Sequence, residues 1–192
     1  FEVVSLTRQE LDIGSQTSIK KAFEKFAPDI VINAAAYTKV DEAECNQELA
    51  AAINYSAVKS LCKSCSENNS FLIHFSTDYV FDGLMASPYN ENVIAKPLNF
   101  YGRSKLAGDN YITKNAHNYA IFRLAWVYDE MGLNFPVKIL NAAKVNDHLK
   151  VVDDQIGTPT SADFISKVVC QFVMRECSTL SLNHQNIYGT QF

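Results

Sequence analysis

Short apolar runs alternate with amphipathic helical patterns along most of this chain. The runs predict strands at 1–6 (FEVVSL), at the start of DIVINAAA (29–36), at 71–76 (FLIHFS), at 119–128 (YAIFRLAWVY) and at 149–152 (LKVV). Apolar residues at three- and four-residue spacing predict helices near 15–26, 46–67, 101–114, 135–145 and 162–176. Strands that are apolar throughout and separated by helices favour a parallel sheet covered on both faces. The predicted fold class is therefore α/β, a Rossmann-like doubly wound sheet.

Small and polar residues follow three of these strands. NAAAYT (33–38), STDY (76–79) and AWVY (125–128) each come where a strand ends. Ligands of doubly wound sheets bind outside the carboxyl ends of the strands. We therefore expect the functional residues in these three segments, with Thr77 able to offer a hydroxyl and the small NAAA side chains able to admit a flat ring.

The segment YGRSK (101–105) opens the helix that follows the third strand. Tyr101 and Lys105 are four residues apart, so their side chains lie on one helix face, one turn apart. An ammonium beside a phenol lowers the phenol's pKa, which suits proton transfer to or from a carbonyl oxygen. This spacing alone recurs by chance in surface helices. Together with Thr77 at the preceding strand end, it predicts an active site.

Composition and charge argue against several classes of function. The chain has 192 residues, 47% of them hydrophobic, with a net charge of −4 and a pI near 5.5, so neither nucleic acid nor a membrane surface is expected as a partner. No apolar run reaches the length of a membrane span, and no signal peptide is visible. Five irregularly spaced cysteines favour a reducing cytoplasm over a disulfide framework. Cys62 and Cys65, late in a helical pattern, are expected to be partly buried thiols.

The segments NAAAYT, STDYVFDG, PLNFYGRSKLAGD and VVDDQIGTPT together resemble the extended short-chain dehydrogenase/reductases. Within that family they resemble the branch that reduces the C4 keto group of dTDP-4-dehydro-L-rhamnose to give dTDP-L-rhamnose. The resemblance implies a cytoplasmic oxidoreductase that uses NADPH or NADH and acts on a small nucleotide sugar. It implies a monomer or a homodimer. Mg²⁺ occurs in some relatives, but no metal ligands are assigned here.

The resemblance also implies residue roles. Tyr101 would protonate the oxyanion, Lys105 would lower the Tyr101 pKa and bind the nicotinamide ribose, and Thr77 would orient the carbonyl. Further cofactor contacts would come from Asp12, Ala35, Ala36 and Thr38, and sugar contacts from Asp78, Tyr79 and Trp126. DDQIGTPT either belongs to the sugar-binding side or is a turn that feeds the helix near 162. Arg8 after the first strand, with no acid before Glu10, favours NADPH.

The sequence departs from that family at its start. No glycine cluster of the pyrophosphate-binding kind is present, and Phe1 begins at what would be the family's second strand. We expect a chain that is part of a longer protein, with a dinucleotide-binding domain over 1–130, incomplete at its N-terminus, and a mixed segment over 131–192 that contributes part of a small substrate-binding region. Two alternatives stay open: a nucleotide-sugar epimerase or dehydratase, and a non-catalytic regulatory subunit like that of methionine adenosyltransferase.

Overall fold

The computed structural model describes residues 2–132, 134–180 and 190–191 of the chain. Contacts between Cα atoms divide the chain into two compact units. The first contains Phe1–Arg123 together with Asn186–Phe192, and the second contains Leu124–Gln185.

The first unit is built on a four-stranded sheet. Its strands are β1 (Ile30–Asn33), β2 (Phe71–Thr77), β3 (Tyr119–Leu124) and β6 (Thr190–Gln191), in the order β1-β2-β3-β6. β1 runs parallel to β2, with Ile30 opposite Phe71, and β3 runs parallel to β6, with Ala120 opposite Thr190. β2 is the most deeply buried strand, which is why its sequence is apolar almost throughout. The α/β Rossmann-like class predicted from the sequence is confirmed.

The main core of the first unit lies between the sheet and three helices, α1 (Gln16–Phe26), α4 (Val58–Glu67) and α5 (Phe100–Asn115). Ile19 and Phe23, one turn apart on α1, point into this core, and Leu72 of β2 and Ile112 of α5 meet them there. α1 begins after Ser15, whose side chain accepts a hydrogen bond from Ser18 N at 3.3 Å. The helical spacing seen in the sequence is thus the spacing of the buried face.

The helical segment between β1 and β2 is interrupted. α2 (Glu42–Cys45) and α3 (Gln47–Ala51) lead into a π-helical segment (Ala52–Ala57), and α4 follows it without a break. The widened π turn brings Asn54 to the inside of the unit, where 1% of its surface is exposed. The predicted helix over 46–67 is therefore present, but the sequence pattern did not reveal its π segment.

The second unit contains β4 (Val127–Tyr128), α6 (Phe135–Ala143), β5 (Thr160–Ser161) and α7 (Ala162–Leu180). β4 pairs in parallel with β5, with Val127 opposite Thr160. Asn134 begins α6 by accepting a hydrogen bond from Val137 N at 3.1 Å, and Pro136 occupies its first turn. The helices predicted near 135–145 and 162–176 are confirmed.

Three strand predictions are wrong. Residues 2–6 form no strand, because in the described part of the chain they have no ladder partner and β1 pairs only with β2. Residues 149–152 are likewise irregular. The run 119–128 is two strands in two sheets, since Trp126 takes a positive φ of 46° that ends the β3 ladder. The segment NIYGTQF (186–192), whose pattern predicts a strand that enters a turn, lies outside the described residues except for β6.

Two other features bear on function. No helix in the described ranges is both long enough and apolar enough to cross a membrane.

Cys62 and Cys65 are buried free thiols, and burial raises the pKa of Cys62 to about 11 and that of Cys65 to about 12. Thiols with such high pKa values are poor nucleophiles and metal ligands at neutral pH, in agreement with the prediction that they pack in the interior.

Candidate active site at the carboxyl end of β2

The segment after β2 carries three of the predicted site residues. Thr77 is the last residue of the strand, and a 3₁₀ turn (Asp78–Val80) follows at once. The Thr77 hydroxyl accepts a hydrogen bond from Tyr79 N at 3.2 Å and donates one to Asp78 Oδ1 at 3.1 Å. The turn is thereby fixed to the strand end, and Tyr79 is left 40% exposed.

The start of α5 brings Tyr101 against this turn. The Tyr79 and Tyr101 rings meet edge to face, with centroids 5.7 Å apart. Gly102 makes this contact possible, because a Cβ atom at that position would collide with the Tyr79 carbonyl oxygen. Asn99 fixes the helix start by accepting a hydrogen bond from Gly102 N at 2.7 Å. Thr77, Asp78, Tyr79 and Tyr101, predicted from separate segments, therefore come together in the structure.

The pKa values of these groups reflect their burial. Burial raises the pKa of the Tyr101 phenol, and hydrogen bonding with the Thr77 side chain partly opposes that rise. Burial is also the main cause of the raised pKa of Asp78, which the Thr77 hydroxyl again opposes. A tyrosine that keeps its proton beside a threonine hydroxyl can give that proton to a carbonyl oxygen.

Lys105 lies one turn beyond Tyr101 but faces the interior. Its side chain is 2% exposed, and its Nζ donates to the Phe75 carbonyl oxygen at 2.6 Å. Burial lowers the pKa of Lys105 to about 8, while the Asp109 carboxylate acts in the opposite direction. The sequence predicts that Lys105 lowers the Tyr101 pKa, whereas in the structure the pKa of Tyr101 is raised, since burial of the phenol dominates.

A buried polar cluster surrounds Lys105. His74 of β2 lies with Nε2 3.4 Å from Lys105 Nζ, and its Nδ1 lies 3.1 Å from Asn33 Nδ2. Asp109 of α5 accepts a hydrogen bond from Ser76 Oγ at 2.6 Å. Burial lowers the pKa of His74, and the Lys105 charge lowers it further, so the ring is neutral. Asp109 continues the four-residue spacing of Tyr101 and Lys105, and that spacing is the signal in the sequence that could have identified it.

The predicted cofactor segment follows β1. Ala35 and Thr38 are exposed and Ala36 is half-buried, so the small side chains leave the backbone accessible. Ala35 N donates to Asn33 Oδ1 at 3.2 Å. An open backbone with small side chains at a parallel strand end suits the approach of a nicotinamide cofactor, and these residues fit that group.

Asn54 holds this predicted cofactor segment from the interior side, a role that the sequence did not indicate. Its side chain accepts from Tyr37 N at 2.9 Å and donates to Tyr37 O at 3.0 Å. It also donates to Ser104 Oγ at 2.9 Å, and Ser104 in turn donates to Tyr101 O at 2.7 Å. Asn54 thus joins the segment that follows β1 to the helix that carries Tyr101.

Two predicted site residues are not joined to this group by any described contact. Asp12 is exposed before α1, and its Oδ1 accepts from Gly14 N at 2.9 Å, a local turn. Trp126 belongs to the second unit, where Gly157 packs against its indole; a Cβ at Gly157 would lie 2.7 Å from Trp126 Cε2. Gly157 is part of DDQIGTPT, so that segment and Trp126 are neighbours.

No metal site is evident in the structurally described ranges. There, no three His, Cys, Asp or Glu side chains come together as metal ligands. The predicted site residues at the end of β2 and on α5 supply hydroxyls (Thr77, Tyr79 and Tyr101), one amine (Lys105) and one carboxylate (Asp78). That set suits proton transfer to a bound carbonyl compound.

A parallel Rossmann-like sheet with threonine at one strand end, and with tyrosine and lysine one turn apart on the next helix, defines the extended short-chain dehydrogenase/reductases. Comparison with known proteins narrows the class. The family model described as "RmlD substrate binding domain" matches residues 1–189, and the chain belongs to this family.

Curated relatives carry one recurring name. The chain is 40% identical to a dTDP-4-dehydrorhamnose reductase of Sinorhizobium fredii over 187 residues, which are 97% of this chain and 63% of that protein. It is 39% identical to the enzyme of the same name from Escherichia coli, over 93% of this chain and 58% of the relative. The chain thus spans about three fifths of the length of these relatives.

Solved structures of proteins with this name are also similar to the chain. A dTDP-4-dehydrorhamnose reductase of Clostridium acetobutylicum superposes with a TM-score of 0.87 at 38% identity, over 91% of this chain and 62% of that one. The Bacillus anthracis enzyme of that name, in complex with NADP, superposes with a TM-score of 0.89 at 29% identity, over 100% of this chain and 65% of that one.

Proposed function

We propose that the protein catalyses the NADPH-dependent reduction of the C4 keto group of dTDP-4-dehydro-L-rhamnose to dTDP-L-rhamnose. The observation that carries the proposal is the meeting of Thr77, Asp78 and Tyr101 at the carboxyl end of β2. Support comes from relatives named for this activity and from a structural neighbour in complex with NADP. NADH is the second candidate cofactor. The cytoplasm is the proposed location, and a monomer or homodimer is the proposed assembly.

A dihydronicotinamide, when bound, would supply the hydride that the C4 keto group accepts. The Tyr101 hydroxyl gives its proton to the carbonyl oxygen, and the tyrosine regains a proton from solvent. Thr77 orients the same oxygen through its hydroxyl, while Lys105 carries a positive charge one helical turn from Tyr101. Because burial raises the pKa of Tyr101, the phenol holds its proton until the carbonyl accepts the hydride.

The binding roles follow the position of each segment. Ala35, Ala36 and Thr38 would hold the nicotinamide side of the cofactor at the open backbone after β1. Asp78 and the exposed Tyr79 would contact the sugar. The assignments of Asp12 to the adenine end and of Trp126 to the sugar stay predictions.

The test is oxidation of NADPH by the purified protein with dTDP-4-dehydro-L-rhamnose, comparing wild type with Tyr101→Phe. We expect the variant to lose turnover by about a hundredfold to ten-thousandfold, the usual range for a general acid. NADPH affinity, measured by cofactor fluorescence, should be unchanged. Tyr111→Phe is the matched control on the same helix, because Tyr111 contacts only Tyr55 and Lys59 among ring and cation partners in the described ranges.

The substrate is tested in the same assay. One relative, 36% identical, is named a dTDP-4-keto-6-deoxy-D-glucose reductase, so that sugar should be supplied in parallel. Faster turnover of the gluco compound would replace the proposed substrate while keeping the reaction class. An equally active Tyr101→Phe protein would refute the role of Tyr101. No turnover of either sugar, with NADPH bound, would favour a regulatory subunit.

A further inference from the structure

One carboxyl group in the core of the first unit is not used by the mechanism described above. Asp109 is 1% exposed, and it follows Lys105 by one helical turn on α5, as Lys105 follows Tyr101. The three side chains therefore share one face of the helix, each about 6 Å further along its axis. A buried carboxylate is costly unless charges or donors compensate it.

The negative charge of Asp109 is only partly compensated by hydrogen bonds and by nearby positive charges. Oδ2 accepts a hydrogen bond from Ser76 Oγ at 2.6 Å, and Arg123 Nε lies 3.8 Å from the same oxygen, an ion-pair separation rather than a hydrogen bond. Among the described residues, Oδ1 has no hydrogen-bond partner. It lies 3.9 Å from His74 Nε2, and that same nitrogen lies 3.4 Å from Lys105 Nζ. His74 Nε2 is therefore close to both the Asp109 carboxylate and the Lys105 ammonium.

The positive charge of the buried Lys105 ammonium is also only partly compensated. In the part of the chain that the structure describes, its Nζ donates to one oxygen, the Phe75 carbonyl, which carries no formal charge. At 2% exposure the ammonium cannot rely on water. Asp109 is the anion that raises the pKa of Lys105 against the effect of burial.

We propose that Asp109 is a positioning residue of the reaction, whose buried carboxylate keeps the Lys105 ammonium charged and, through His74, aligned one turn from Tyr101. The proposal rests on the proposed function for its catalytic meaning. Its central claim, a charge coupling between Asp109 and Lys105, can be measured without substrate or cofactor.

Other titratable groups face this pair, and they set the background for any pH dependence. From the elements packed on α5, the groups that bear on Lys105, Asp109 or the nearby Tyr101 are His74 of β2, Arg123 of β3, and Asp78 and Tyr79 of the 3₁₀ turn. Of these, Asp78 and Tyr79 act on Tyr101, at the far end of the row from Asp109. Substitution of Asp109 by asparagine keeps the shape and removes only the charge.

The experiment is a ¹³C NMR titration of the lysine Cε signals in the purified protein, with Lys105→Met identifying the Lys105 signal. In Asp109→Asn we expect the Lys105 midpoint to move to lower pH by about one unit, the lower end of the range for a nearby opposite charge. Ser104→Ala is the matched control, because it alters a buried but uncharged residue of the same helix. It should leave the midpoint in place.

A second measurement covers the case in which Asp109→Asn does not fold. Coupling is reciprocal, so the Asp109 carboxyl should titrate at higher pH in Lys105→Met than in wild type. An unchanged Lys105 midpoint in folded Asp109→Asn would overturn the proposal. So would an Asp109 carboxyl that is already protonated at pH 7 in the wild-type protein.

A third experiment tests the effect on catalysis by measuring how kcat for NADPH-dependent reduction depends on pH. In Asp109→Asn the fall of kcat with rising pH should begin about one unit lower than in wild type. A purely structural role would lower kcat evenly across pH. If no sugar is turned over, the proposed function fails while the NMR titration still decides the coupling.

Discussion

Asn54 joins the predicted cofactor segment after β1 to α5, and substitution of Asn54 should show how strongly that connection stabilises the protein. Its side chain makes three hydrogen bonds, two to the Tyr37 backbone and one to Ser104 Oγ, at distances of 2.9 to 3.0 Å. It lies in the π segment at 1% exposure, so water cannot replace it without rearrangement. Asn54→Ala removes all three bonds at once.

The expected loss of stability in Asn54→Ala follows from the backbone groups that the substitution leaves without a hydrogen-bond partner. Each buried peptide group that loses its partner costs about 1–3 kcal/mol, and Tyr37 has both its N–H and its C=O in these bonds. We expect a loss of about 3 kcal/mol in the free energy of unfolding. With an m-value of about 2 kcal/mol/M, the urea midpoint should fall by about 1.5 M.

The assay is urea denaturation followed by far-ultraviolet circular dichroism, with Asn115→Ala as the control. Asn115 is exposed at the end of α5, where its side chain donates a hydrogen bond to Tyr111 O at 2.8 Å. That variant should stay within about 0.5 kcal/mol of wild type. NADPH affinity should fall in Asn54→Ala and not in Asn115→Ala. Equal urea midpoints for the two variants would refute the role given to Asn54.

Two more predictions concern α5. Gly102→Ala places a methyl group against the Tyr79 carbonyl, so we expect the 3₁₀ turn to move and kcat to fall sharply; activity equal to wild type would contradict this close approach. The second concerns pH. The folded pKa of Lys105, about 8, lies below its ordinary value of 10.5, so the unfolded chain binds more protons between these pH values. Stability should therefore rise with pH from about 8 to 10.5, by up to about 3 kcal/mol. Urea midpoints of wild type and Lys105→Met, compared at pH 7 and pH 10, measure this, and a difference that does not change with pH would exclude it.

Much of the first unit could be predicted because its patterns are local. β2 is apolar along its whole length, and α1 and α5 place their buried residues at helical spacing. The spacing of Tyr101 and Lys105 and the polar ends of β1 and β2 located the candidate site. Each of these signals is contained in a few consecutive residues.

The strand predictions were wrong where the presence of a neighbouring strand decides whether a segment forms a β-strand. Residues 2–6 and 149–152 have suitable side chains for strands, but a strand exists only when another backbone accepts its hydrogen bonds. The run 119–128 looked continuous, and the backbone conformation of Trp126 divides it between two sheets. Neither outcome is visible in a local pattern.

The sequence by itself determined the α/β class and the family, and it predicted the residues proposed to carry the chemistry, because strand and helix periodicity and short motifs are properties of neighbouring residues. Only the tertiary structure decided how those residues are held. Asn54 and Ser104 meet across 50 positions, Ser76 and Asp109 across 33, and Lys105 turns toward the strand that carries His74. Burial then sets the charges, since a side chain's pKa depends on groups that the fold, and not the chain order, places beside it.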